Sequence, residues 1–217
     1  MKAKSNFPRL AFTLIEAMIV TGILCVLIVM VVPMRRSNRG RSPRINCVNN
    51  QKQISLAFKQ WSLDHGDKFP MQESVTNGGA MELVNSGIVW PHFQIMSNEL
   101  NTPKLLVCPA DEGRSAASSF ESNFNNSVIS YFVGVDAKDD LPNSFLVGDS
   151  NLSISGTNLS RGLVAVLTNM PLAWTERRHQ KQGNVALADG SVQGFSNTRM
   201  REALRLSGLV TNRLAIP

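Results

Sequence analysis

Residues 10–33 read LAFTLIEAMIVTGILCVLIVMVVP. Within them, the run that begins at Phe12 and ends at Val32 is 21 consecutive residues with a single charge, Glu16. A helix rises about 1.5 Å per residue, so this run is long enough for the roughly 30 Å of a bilayer core. A carboxylate costs on the order of 2.5–3.5 kcal/mol at mid-membrane and less toward an edge. No basic residue stands within a helical turn of Glu16, so its partner is expected on another chain. A secretory signal peptide is excluded: its apolar region runs about 7–15 residues and ends at a small-x-small cleavage site, whereas Val-Val-Pro-Met-Arg-Arg follows here. An ordinary signal anchor matches the length but does not explain Glu16.

The charge pattern narrows the rest. The chain carries 22 basic and 16 acidic side chains, a formal +6. Residues 1–44 hold eight basic groups and one acid, and residues 45–217 hold 14 and 15. The basic character therefore flanks the apolar run, and the soluble part is nearly neutral. No bulk electrostatic surface for nucleic acid is expected. Arg35, Arg36, Arg39, Arg41 and Arg44 follow the run, against Lys2, Lys4 and Arg9 before it. Taken alone, the positive-inside rule would keep that following side in the cytoplasm.

The basic leader, then Ala11-Phe12-Thr13-Leu14-Ile15-Glu16, then the apolar run, closely resembles the N-terminus of type IV prepilins and type II secretion pseudopilins. The resemblance implies a cut between Ala11 and Phe12 by a membrane peptidase that also methylates Phe12. It implies that Glu16 pairs with the terminal ammonium of a neighbouring subunit, a buried pair in which each charge satisfies the other. Pro33 falls where the family commonly has a helix-breaking proline, and Ala11 stands where the family usually has Gly. The peptidase cuts a cytoplasmic leader, so the implied topology is leader inside and bulk outside, opposite to the arginine count.

Ser37-Asn38-Arg39-Gly40-Arg41-Ser42-Pro43 reads as a connector rich in helix breakers. Beyond it, Cys47, Ile54, Ala57, Phe58 and Trp61 recur at helical spacing and predict an amphipathic helix that ends by Gly66 and Pro70. Three further motifs resemble the large pseudopilin-like proteins of planctomycetes and verrucomicrobia. They are the helix from Cys47 to Ile54 leading to Phe69-Pro70, then Cys108-Pro109-Ala110-Asp111, and then His179, nine residues, Asp189-Gly190. Cys25 lies in the apolar run as a small apolar residue. That leaves Cys47 and Cys108 on the extracytoplasmic side, where a disulfide can persist. A bridge between them would close a loop of about 60 residues, roughly 4 kcal/mol by chain entropy; two buried free thiols are the other reading. Two cysteines without histidines at suitable spacing do not make a zinc site, and His65 and His92 show no such spacing.

Residues 127–133, 144–148, 162–167 and 183–188 read as strands. Asp189-Gly190 before residues 191–195 predicts a two-residue type I′ hairpin. Residues 113–127, rich in Ser and Asn, read as a loop. Thr198 is expected to cap a short helix with Met200, Ala203 and Leu204 on one face, stopping at Gly208. Candidate catalytic groups are His179, Asp189, Asp149, Cys108 and Ser150, but no nucleophile elbow, metalloprotease helix, phosphate loop or dinucleotide fingerprint appears. Turn geometry alone explains Asp189, and His179 is expected to hydrogen-bond that hairpin and fix its register. A metal at Asp189, His179 or the Asp136/Asp139/Asp140 loop would be calcium, which major pseudopilins often bind in a C-terminal loop. The spacing does not match a twelve-residue calcium loop, so no ligand and no cofactor is assigned.

The expected fold is α+β and pilin-like, with a long N-terminal helix, half membrane and half amphipathic, on a mostly antiparallel sheet with long loops. Its parts are a leader (1–11), a transmembrane or filament-core helix (12–33), a basic connector (34–44), an amphipathic helix (45–64) and an extracytoplasmic head (65–217). The expected function is a non-enzymatic filament subunit of a bacterial inner membrane, single-pass, with its amino terminus cytoplasmic. Its partners would be the prepilin peptidase, other pilin-like subunits, an inner-membrane assembly platform and lipid. Two alternatives are a membrane-anchored binding protein that uses the pilin-like start only for export, and an enzyme or lectin-like domain on a plain signal anchor.

Overall fold

A computed structural model describes residues 13–37 and 41–217. The chain divides into two compact units, Met1–Arg41 and Ser42–Pro217.

The first unit is the helix α1 (Leu14–Ser37). Thr13 and Glu16 start it as a reciprocal capping box. The Glu16 carboxylate accepts from the Thr13 backbone N–H at 2.9 Å, and the Thr13 hydroxyl accepts from the Glu16 N–H at 3.4 Å. Pro33 does not end the helix, which continues to Ser37. Leu14, Ile15, Met18, Ile19, Val20, Ile23, Leu24 and Val26 are among its exposed apolar side chains, and they point in every direction around the axis. Among the described residues no helix is long and apolar enough to cross a membrane. Ala11 and Phe12, and with them the expected cleavage point, lie outside the described residues, as do the side chains of the expected span from Met30 onward.

The second unit opens within the first turn of α2 (Arg41–Leu63). It starts earlier than the expected 45–64, because Pro43 sits in the first turn, where its missing N–H has no helical partner to lose. Only residues 38–40 of the expected connector are left between the helices, and these lie outside the described residues. The stripe Cys47, Ile54, Ala57, Phe58 and Trp61 is buried, as its spacing predicted. Residues 64–130 hold no strand; they form 3₁₀ turns and two short helices, α3 (Trp90–Gln94) and α4 (Ser97–Leu100).

The strands follow: β1 (Tyr131–Gly134), β2 (Phe145–Asp149), β3 (Leu152–Ile154), β4 (Thr157–Asn158), β5 (Gly162–Leu167), β6 (Leu172–Trp174), β7 (Gln182–Leu187), β8 (Val192–Ser196) and, after α5 (Asn197–Leu206), β9 (Thr211–Ile216). Six of them form a sheet in the order β5-β9-β1-β2-β7-β8, and β4-β3-β6 form a second. Every pairing in both is antiparallel. The protein is therefore α+β with antiparallel sheets. Alternation along β1 divides the interior. Tyr131 and Val133 join the α2 stripe, with Phe69 and Phe93 set edge-on to Phe58. Phe132 faces the other way, with Phe145, Val185, Trp174, Met200 and Leu204.

Three local expectations are corrected. The Asp189-Gly190 turn is not type I′, since only Gly190 has positive φ (86°). Gly190 N–H donates to the Leu187 carbonyl at 2.9 Å and Leu187 N–H to that of Ser191 at 2.9 Å, which is a type I turn closed by a left-handed glycine. The cap of α5 is Ser196, whose hydroxyl accepts from the Arg199 N–H, rather than Thr198. The first expected strand is displaced toward the C-terminus, because residues 126–128 are a 3₁₀ turn capped by Asn125.

Candidate functional site

Cys47 and Cys108 meet a carboxylate and an imidazole that the sequence places far away. Cys47, Cys108, Asp149 and His179 each offer a donor atom, and these four atoms all lie within 4.8 Å of one another. Cys47 comes from the second turn of α2, Cys108 from the turn after the 3₁₀ segment Pro103–Leu106, Asp149 from the end of β2, and His179 from the turn leading into β7. Both cysteines are free thiols and fully buried, and the Asp149 and His179 side chains are 0% and 2% exposed.

Contacts inside the group are short. The Cys47 thiol donates to Asp149 Oδ1 at 3.1 Å, and Cys108 Sγ lies 3.3 Å from His179 Nε2. That same nitrogen is 3.7 Å from Asp149 Oδ2. Around them, Asn184 donates its backbone N–H (2.8 Å) and its side-chain amide (3.2 Å) to Asp149 Oδ2. The Tyr131 hydroxyl lies 3.4 Å from Cys47 Sγ, and Gln51 Nε2 approaches that sulfur at 3.8 Å.

Backbone and outer contacts hold each member in place. His179, Gln180 and Lys181 are three successive non-glycine residues at φ 51°, 53° and 60°. Left-handed backbone costs about 1–2 kcal/mol per such residue, and it persists only where its surroundings over-determine it. Arg178, next to His179, pairs with Asp111 at 2.5 Å and donates to the Ser130 carbonyl at 2.8 Å. Asp111 in turn accepts from the Ser130 hydroxyl at 2.8 Å, and its N–H closes the turn onto the Cys108 carbonyl at 2.8 Å. The Cys-Pro-x-Asp motif thus fixes Cys108 and, through Arg178, the neighbour of His179.

Electrostatics follow from this crowding. The proximity of Cys47, and then the His179 contact, pull the Cys108 thiol down to about 6 against the opposing effect of burial. Cys47 is pushed up by the same proximity, by burial and by the Asp149 charge. Burial lowers the pKa of His179, but the Cys108 contact and the Asp149 carboxylate outweigh it and the net shift is upward.

The arrangement does not suit a Cys-His-Asp relay. A relay needs the nucleophile on one ring nitrogen and the carboxylate on the other, whereas Cys108 and Asp149 both face Nε2. Ser150 is occupied as well, donating to the Ser130 carbonyl at 2.8 Å. Asp189 lies outside the group, exposed, and accepts from the Ser191 N–H at 2.8 Å. His179 does not touch that hairpin in the way expected; its polar contacts are with Cys108 and Asp149. In the acidic loop weighed for calcium, Asp136 is taken up by Arg213 at 2.6 Å and Asp139 by Lys59. The cysteines and His179 are legible as motif residues, and Asp149 as one of the candidate catalytic groups. Nothing in their spacing shows that they converge. Beside the group, a polar cavity of 640 Å³ is lined by Arg114, Arg161, Arg177 and Arg178 together with Asp111 and Glu112. No known protein family, curated protein or solved structure matches the chain.

Proposed function

We propose that the chain is a structural subunit of a type II secretion or type IV pilus-like filament. It is made as an inner-membrane precursor, cut between Ala11 and Phe12, methylated on Phe12 and assembled through its N-terminal helix. The observation that carries this reading is the apolar surface of α1, exposed on all sides. A helix that is hydrophobic all round needs lipid or other helices about it. In this reading α1 exchanges lipid for neighbouring subunits, and Glu16 sets their register against a neighbour's amino terminus.

Glu16 also caps its own helix, so an Ala substitution would confound two roles. Glu16→Gln keeps a side chain that can serve the capping box and removes the charge. In the native host this variant is expected to be processed normally, with cross-linked oligomers reduced at least about tenfold, the equivalent of roughly 1.4 kcal/mol of lost pairing. Undiminished cross-linking would contradict the pairing.

A second reading, a membrane-anchored binding protein, draws on the arginine-lined cavity. It differs in one outcome: the processed chain would never co-purify with filaments.

A further inference from the structure

We propose that Cys47, Cys108, Asp149 and His179 form a closed tetrahedral site for a structural zinc ion, which clamps α2 to the end of β2 and to the turn before β7. The inference is independent of whether the chain forms filaments.

Geometry is the first support. Zinc takes sulfur at about 2.3 Å and nitrogen or carboxylate oxygen at about 2.0–2.2 Å in a tetrahedron. Those arms put neighbouring donors roughly 3.3–3.8 Å apart. The contacts here are 3.1 Å from Cys47 Sγ to Asp149 Oδ1, 3.3 Å from Cys108 Sγ to His179 Nε2 and 3.7 Å from His179 Nε2 to Asp149 Oδ2, and the four donors all lie within 4.8 Å of one another, so a small closing movement completes the tetrahedron. That Cys108 and Asp149 converge on one imidazole nitrogen argues against a relay; it is what ligands around a common centre do.

Charge is the second support. A buried carboxylate costs several kcal/mol unless it is compensated, and Asp149 is fully buried against two thiols, one imidazole and an amide. A divalent cation supplies the compensation. Each thiol gives up its proton on binding, so the Cys47 hydrogen bond to Asp149 is replaced by two metal bonds. Asn184 goes on donating to Asp149, and Gln51 goes on approaching the Cys47 sulfur, which are the outer contacts that orient metal ligands. A disulfide would use the two sulfurs and leave the convergence of Asp149 and His179 unexplained. It would also leave unexplained the left-handed run at His179, Gln180 and Lys181 that carries the imidazole.

Donor type selects the ion. Calcium and magnesium want six or more oxygens, whereas two thiolates, one imidazole and one carboxylate in a closed four-coordinate shell suit zinc.

The full-length protein, purified in detergent without added metal or chelator, is expected to carry one zinc per chain by elemental analysis. After chelation under reducing conditions, cobalt(II) should restore one ion per chain with the strong visible bands and near-ultraviolet thiolate charge transfer of a tetrahedral site. Cys108→Ser and His179→Gln should each lose the stoichiometric metal, while Asp189→Asn, outside the group, keeps it. Should the ligand variants fail to fold, the cobalt spectrum of the unaltered protein still decides the matter. A mass short of two hydrogens with a Cys47–Cys108 bridge and no metal would overturn the proposal. So would free thiols that bind neither zinc nor cobalt after reduction, an octahedral cobalt spectrum, or metal that survives in Cys108→Ser.

Discussion

His92 is a residue whose chemistry is set wholly by its position. It is fully buried in α3, neither ring nitrogen has a hydrogen-bond partner among the described residues, and burial lowers its pKa from 6.5 to about 4. The sign of the effect follows from proton binding. Between these two values the unfolded chain binds more protons than the folded one, so stability rises with pH across that window. It is fully present above pH 6.5 and is lost as the pH falls toward 4. A shift of this size corresponds to about 3 kcal/mol. Denaturation midpoints measured from pH 7 to pH 4 are expected to fall less in His92→Leu than in the unaltered protein, and parallel profiles would contradict this account. The candidate site shows the matching limit of sequence reading at the same scale. Cys47, Cys108 and His179 stood out as motif residues, but the fold alone brings Asp149 to them, through the pairing of β2 with β7. The spacing of His65 and His92 from the cysteines gives no zinc pattern; the histidine that joins them is His179.

Elements were more legible than their partners. The stripe on α2 was readable because helical spacing reports burial directly, and all five of its residues are buried. The strands β2, β5, β7 and β8 were readable from apolar runs between Gly, Asn and Asp. The strands β3, β4, β6 and β9 were not. They are short or mixed in polarity, as in Thr211–Ile216, and gain strand character from a neighbour's backbone rather than from their own side chains. The two faces of α2 give a test at this scale. Phe58 is fully buried with two aromatic rings edge-on to it, whereas Leu56 is 65% exposed. Phe58→Ala is expected to cost about 3–5 kcal/mol, and Leu56→Ala to stay within about 0.5 kcal/mol, by chemical denaturation of the purified protein. Equal losses would mean that α2 packs by a different face.

At the scale of the whole molecule, two units of opposite character share one chain. Residues 42–217 bury a core on each face of the larger sheet, and their exposed large apolar side chains are scattered along the chain. The helix α1 does the reverse along its described length. A chain built this way has one folded head and one segment that calls for an apolar environment or for copies of itself, which is the division of labour a filament subunit requires.

The proposed filament role depends first on processing at the amino terminus. The measurement is the N-terminal residue and intact mass of the protein from native membranes, in a host that retains its own prepilin peptidase. A chain that begins at Phe12 and carries one added methyl group is the predicted result. A chain that still begins at Met1 would contradict the filament-subunit account and leave α1 as a plain membrane anchor for the head.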